Sequence, residues 1–297
     1  MKPAAYGPFP YLPIVDRKRF KWPGGARLAL WVIPNIEFFR LDDVMPGTNN
    51  ERVARDHARI PNMRNWSLRD YGNRVGVWRF MDMLSRHDIR GTVALNSIVC
   101  EHHPQIIEKT AALGWEFMGH SQTNTVRINE MPPEKERAAI QATLEQIAKA
   151  TGKRPRGWLG PGLAETWDTL DILREEGVDY VCDFVSDDLP FRMTLDSGTM
   201  FSIPYSLQCN DTPQFFDQKL SAEEFGQLIR NQFDWLYREA ADIPRVMAIA
   251  LHPFVSGQPN RIGAVDKALD YICSHEGVWR ATGSEIIDHY AKAVPDQ

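Results

Sequence analysis

Short apolar runs alternate with segments of helical period along nearly the whole chain. The first, "ARLALWVIP" from Ala26 to Pro34, is almost continuously apolar and closes on a proline. "GTVALNS", "GWEFMGH", "RGWLG", "VDYVCDF", "MFSIPYSL", "RVMAIALHP" and "GVWRATG" follow in order. Runs of about four to eight apolar residues bounded by turn signals suit parallel strands buried on both faces. The segments between them read as helices. "PPEKERAAIQATLEQIAKATG" begins at prolines, sets Ile140, Leu144 and Ile147 on one face and stops at Gly152. "SAEEFGQLIRNQFDWLYREAAD" opens with Ser221 and Glu224 at capping-box spacing, and Phe225, Leu228, Ile229 and Leu236 then keep helical period. "ETWDTLDILREEG" is shorter and ends at Gly177.

This alternation predicts a single α/β domain over residues 1–297, a distorted parallel (β/α) barrel of about seven to eight strands. A doubly wound open sheet is the alternative, but no glycine-rich phosphate loop stands between a strand and a helix to support it. Residues 40–75, "RLDDVMPGTNNERVARDHARIPNMRNWSLRDYGNRV", break the rhythm as a long polar insertion after the first strand. Such a segment is either a surface excursion or is functional or packed against a partner.

Composition narrows the classes. Hydrophobic residues make up 43% and charged residues 25% of 297, ordinary values for a globular domain with a sizeable core. The net charge is −5 with no basic stripe, which argues against a nucleic-acid partner. Prolines interrupt the first twenty residues where a signal peptide needs an apolar run, and no stretch approaches the roughly 18 apolar residues of a membrane span. The expectation is a cytoplasmic protein with no membrane partner. Cys100, Cys182, Cys209 and Cys273 lie far apart, so free thiols are expected rather than a disulfide framework or a thiolate zinc site.

Barrel enzymes place their chemistry at the C-terminal ends of the strands. The first strand is followed by Asn35 and Glu37, the second by Asn96, the third by His120 and Asn124. "RGWLGPG" supplies Trp158, "VDYVCDF" leads to Asp183 and then to Asp187 and Asp188, and "VMAIAL" ends at His252. Carboxylates, amides and imidazoles delivered to one rim predict a pocket for a small-molecule substrate. His120 and His252 each close an apolar strand and are read as functional; the other histidines stand in helical or loop contexts and are read as structural. Glu37 precedes Phe38 and Phe39, and a carboxyl beside apolar rings is a setting for a raised pKa. One of Asp187 and Asp188 is expected to orient a neighbouring group, as carboxylates fix imidazole tautomers.

Together these motifs resemble the polysaccharide deacetylase (NodB-homology) family over nearly the whole chain. The resemblance rests on the polar end of strand one, the His-Ser element at His120, the turn from Arg156 to Gly162, the aspartates near Asp187, and Leu251-His252-Pro253. "VIPNIEFF", "DYGNRVGVWR", "RPRGWLGPG", "SDDLPF", "IPYSLQCND" and "IALHPFVSGQPNR" are most similar to its allantoinase-like branch and related cyclic-imide hydrolases. The resemblance implies a distorted barrel of parallel strands, a hydrolytic activity and a homo-oligomer, for which the 40–75 insertion could supply an interface.

The family pattern implies an Asp-Asp pair after strand one, general base and metal ligand, and two histidines four residues apart that complete a metal site. This chain has Asn35 and Glu37 in the first place and Asn124 as the second histidine. An amide oxygen is a poor zinc ligand, so no metal or other cofactor is expected; a zinc held by Glu37, His120, Asn124 and waters is the alternative. The expected function is opening of a small cyclic amide, imide or ureide. Glu37 would be general base, His252 general acid or oxyanion partner, and His120 would polarise the carbonyl or share the proton work. Asn35 and Asn124 would donate to imide oxygens and Trp158 would wall the flat ring. Two other readings stand: a metal-dependent carbohydrate N-deacetylase, and a non-catalytic binding protein on the same fold.

Overall fold

The computed structural model describes residues 3–46 and 59–296. Its strands are β1 (Leu28–Ile36), β2 (Thr92–Leu95), β3 (Glu116–Gly119), β4 (Gly157–Trp158), β5 (Tyr180–Val181), β6 (Phe191–Leu195), β7 (Gly198–Ser202), β8 (Arg245–Leu251) and β9 (Val278–Arg280). They form one sheet in the order β6-β7-β5-β4-β3-β2-β1-β8, with β9 also paired to β1. All neighbours are parallel except β6 and β7, an antiparallel hairpin. The sheet curls into a half-barrel of mostly parallel strands, as the alternation predicts. β6 is the strand the sequence reading missed, because its polar Arg192 and Thr194 break the apolar run.

The nine residues of β1 are all buried, and their alternation appears only in what they touch. Ala29, Trp31 and Ile33 join Ala94, Met118, Cys182, Ala248 and Ala250 in one core. Leu30, Val32 and Ile36 pack with Phe80, Leu84, Phe225 and Phe233 from the helical layer in another. A strand covered on both faces is apolar on both faces.

The helices follow the sequence signals closely. The helix Pro133–Thr151 has proline in its first turn and ends at Gly152 with φ 74°, the left-handed cap that glycine takes without strain. Ser221 and Glu224 close a reciprocal capping box on the helix Ala222–Glu239. The segment read as a helix over 165–177 is helical only from Thr169 to Glu175. Of the 40–75 insertion, residues 47–58 lie outside the described residues. Its last part is not an irregular excursion: Met63–Tyr71 is an α-helix that runs through a π-helical turn, Gly72–Gly76, into the helix Val77–Arg86.

Among the described residues no helix is long and apolar enough to cross a membrane. Cys100, Cys182, Cys209 and Cys273 are free thiols.

Candidate active site

Glu37, His120 and His252 stand one residue beyond the ends of β1, β3 and β8, three strands drawn together by the order β3-β2-β1-β8. The Glu37 carboxylate occupies the centre. Its Oε1 lies 3.5 Å from His120 Nε2 and 3.5 Å from His252 Nε2, and it accepts the Asn124 side-chain N–H at 2.6 Å. All three titratable residues are buried, none more than 8% exposed.

The loops carrying these groups are tied to each other. Asn124 N donates to Phe38 O at 2.9 Å. Asn96, at the end of β2, accepts from Phe38 N at 2.8 Å, and its Nδ2 donates to His120 O and, at 3.3 Å, to Asn124 Oδ1. His120 Nδ1 bonds to Leu159 O at 2.6 Å. A carbonyl only accepts, so Nδ1 carries the proton and Nε2 is the ring atom turned to Glu37. His252 Nδ1 donates to Asp211 Oδ1 at 2.7 Å, while Asp211 Oδ2 accepts the backbone N–H of His252 at 2.8 Å and of Ser256 at 3.2 Å.

These contacts polarise the acid–base pair. Burial would lift the Glu37 carboxyl, but the His252 charge and the two imidazoles beside it hold it down at about 2. The raised pKa expected from Phe38 and Phe39 is therefore corrected: two adjacent imidazoles outweigh the apolar surroundings. Burial would lower the His252 imidazole, but the Asp211 and Glu37 carboxylates raise it to about 10. At neutral pH the site holds an ionised Glu37 and a protonated His252.

Asn35 points into the barrel beside this cluster. Its Nδ2 donates to Ile33 O at 3.2 Å, and its Oδ1 accepts from Tyr205 Oη at 3.5 Å. Tyr205 also accepts from Asn210 Nδ2 at 3.3 Å. On the other flank, Gly160 N donates to both Asp183 oxygens, at 2.8 and 3.1 Å. Burial pushes the Asp183 carboxyl up to about 6 against the pull of Glu165, Gly160 and His120, and burial with the Asp183 charge raises Glu165 well above the usual range. Asp183 and Tyr205 also line a cavity of about 1070 Å³ walled by Phe9, Phe184 and Phe191.

Of the other expected substrate contacts, Asp187 and Asp188 line the same cavity as Asp183 and Tyr205, at its far end from His252, and Trp158 lies elsewhere. Trp158 is fully buried with Ile140, Leu144 and Leu170 in the core under the helices, and a Cβ on Gly119 would come within 2.5 Å of its ring. It faces outward from the barrel and does not wall the site; its neighbour Leu159 is the inward residue. Asp187 takes Arg17 Nη2 at 2.7 Å. Asp188 O accepts from Val246 N at 2.9 Å, and its carboxylate is 3.8 Å from Arg245 Nε. Both aspartates thus sit by the start of β8, whereas His252 follows its end, roughly 20 Å away at about 3.3 Å per residue.

The orienting carboxylate expected from that pair is supplied by Asp211, which the sequence reading did not single out. Its signal was "QCND", the end of a stretch already noted, where no strand end marked it as a rim residue. Asn73, within "DYGNRVGVWR", was likewise passed over; its Nδ2 donates to Glu37 O at 2.8 Å.

The family's metal does not fit these residues. Among the described residues no group of three or more His, Cys, Asp or Glu side chains is placed to hold a metal ion. The position that would complete the set is Asn124, which turns its nitrogen, not its oxygen, to Glu37, and an N–H donor cannot ligate.

Comparison with known proteins agrees with the fold. A family model described as polysaccharide deacetylase matches residues 67–181. A Schizosaccharomyces pombe protein named "Putative polysaccharide deacetylase" is 27% identical over 294 residues, covering 92% of this chain and 88% of that protein. The crystal structure of a "probable Polysaccharide deacetylase from Pseudomonas aeruginosa PAO1" has 29% identity and a TM-score of 0.84, covering 93% of this chain and 95% of the other. That of Puue allantoinase has 29% identity and a TM-score of 0.83, covering 93% and 94%. With the half-barrel and the strand-end residues above, these likenesses make the chain similar to polysaccharide deacetylases over nearly its whole length.

Proposed function

We propose that this protein hydrolyses a carbon–nitrogen bond in a small cyclic amide, imide or ureide, using Glu37 and His252 without a step through a metal. The observation that carries the reading is the Glu37 carboxylate 3.5 Å from Nε2 of His252, whose Nδ1 is held by Asp211. A base and an acid in opposite protonation states at one pH are the pair that amide hydrolysis needs.

The chemistry follows from that pair. Glu37 takes a proton from water as its oxygen adds to the ring carbonyl. Asn124 supplies a side-chain N–H where the oxyanion develops, and His120, its bare Nε2 turned to the site, shares the proton work. His252 then gives its Nε2 proton to the leaving nitrogen and the ring C–N bond breaks, leaving an acid and an amide or ureide arm. The proton on Glu37 returns to His252. Asp211 keeps the His252 ring oriented and charged throughout.

A carboxylate held at about 2 is a weak base, and a weak base suits an activated carbonyl. Imides and ureides have better leaving groups than acetamides, which favours them over N-acetyl sugars. The structural likeness to an allantoinase supports the same choice. The second reading, a metal-dependent deacetylase of an N-acetylated carbohydrate, draws on the relatives' names. Cytoplasmic location and a homo-oligomeric state are carried as parts of the proposal; light scattering after gel filtration tests the latter.

The test is ring-opening of a panel including allantoin, hydantoin, succinimide, glutarimide and a dihydropyrimidine, followed by ultraviolet absorbance. Turnover lost in Glu37→Gln is the expected result. No turnover on any ring, with release of acetate from an N-acetyl sugar, would replace this reading by the second.

A further inference from the structure

The two helices flanking Gly72–Gly76 are joined by a widened turn closed by Val77 N donating to Gly72 O. Such π turns insert an extra residue, redirect side chains and recur at functional sites. Here the turn touches both sides of the Glu37–His252 pair. Asn73, buried, sends its Nδ2 to Glu37 O at 2.8 Å. The flanking glycines lie flush on the segment after His252: a Cβ on Gly76 would fall 2.0 Å from Pro253 O, and one on Gly72 2.7 Å from Phe254 N. Gly257 closes the fit, its Cβ position 2.6 Å from Gly76 Cα, and Arg79 Nη1 donates to Gly257 O at 2.7 Å.

Glu37 needs such a support. It lies one residue past β1, so the strand ladder no longer fixes its carbonyl, and a buried carbonyl must find a donor. The only hydrogen bond from another element to that carbonyl among the described residues is Asn73. Any shift of the turn relative to Pro253 and Phe254 changes the gap between Glu37 and His252.

We propose that the π turn Gly72–Gly76 is the spacer that sets the Glu37–His252 separation, with Asn73 as the positioning residue for Glu37. Asn73 bonds the Glu37 backbone and not its carboxylate, and takes no part in proton transfer. The proposal rests on the reading of Glu37 and His252 as the working pair, and its test has an arm that needs no substrate.

The experiment compares wild type, Asn73→Ala, Gly76→Ala and Glu37→Gln. The first arm is turnover on the best substrate of the panel. Asn73→Ala is expected to lower kcat at least tenfold with KM within about twofold, since it disturbs geometry and not binding. The second arm is the His252 ring titration by NMR. Glu37→Gln gives the fall caused by losing the neighbouring charge, about one unit or more, and Asn73→Ala is expected to fall part of the way. Gly76→Ala should move both readouts in the same direction from the His252 side; if it does not fold by circular dichroism, Asn73→Ala decides alone. An Asn73→Ala protein with wild-type kcat and wild-type His252 titration overturns the proposal. If no substrate is turned over, the imide reading fails and the titration alone judges the spacer.

Discussion

His252 Nδ1 lies 2.7 Å from Asp211 Oδ1, and the other oxygen of the same carboxylate receives the His252 backbone N–H at 2.8 Å. One side chain therefore fixes the ring's tautomer, its direction and its charge. Asp211→Asn keeps the shape and removes the charge. The expected result is a kcat loss of about 10²–10⁴, the range of a single acid–base contribution, and a lower His252 pKa in the ring titration. Unchanged kcat would mean that His252 is not the acid.

Stability should depend on pH in a defined window through the two buried partners. The His252 pKa is raised from 6.5 to about 10, so its contribution is full below pH 6.5 and is lost as pH rises through 10. The Glu37 pKa is lowered from 4.5 to about 2, so its contribution is full above pH 4.5 and is lost as pH falls through 2. Thermal unfolding of wild type against His252→Asn, scanned from pH 6 to pH 10, should show the difference between the two shrinking as pH rises. A constant difference would place the His252 proton elsewhere.

Glu37→Gln replaces the central carboxylate by a neutral group of the same size. Turnover should fall by about 10² or more, while a substrate or product analogue still binds in calorimetry. Glutamine can keep an oxygen towards Asn124, so the loss is chemical and not structural.

Dialysis against EDTA should leave turnover on the best ring substrate unchanged, and added zinc should not raise it. Loss on chelation with recovery on zinc would show that Glu37 and His120 ligate after all, and would return weight to the deacetylase reading.

Trp158→Ala should be a stability variant. Emptying a fully buried tryptophan site costs about 3–5 kcal/mol, read as a large drop in Tm. The milder Trp158→Phe should fold with a KM near wild type. A KM raised tenfold in Trp158→Phe, with Tm unchanged, would put the ring back in the site.

The sequence by itself carried the parallel α/β architecture and much of the rim. Glu37, His120 and His252 were legible because each follows an apolar run, and a parallel strand delivers the residue after it to one end of the sheet. What only the tertiary structure decided is which face each residue takes and which distant groups reach it. Trp158 belongs to a strand of two residues, too short for alternation to show that it points at the helices. Asp187 and Asp188 follow an apolar run too, but the chain there travels back to the start of β8 before their side chains find Arg17 and Arg245. Asp211 and Asn73 stand 41 and 36 residues from the groups they hold. Neither follows a strand in the sequence: a helix start brings one to the site and a π turn the other, and contacts between elements so far apart in sequence are set by packing, which no local pattern records.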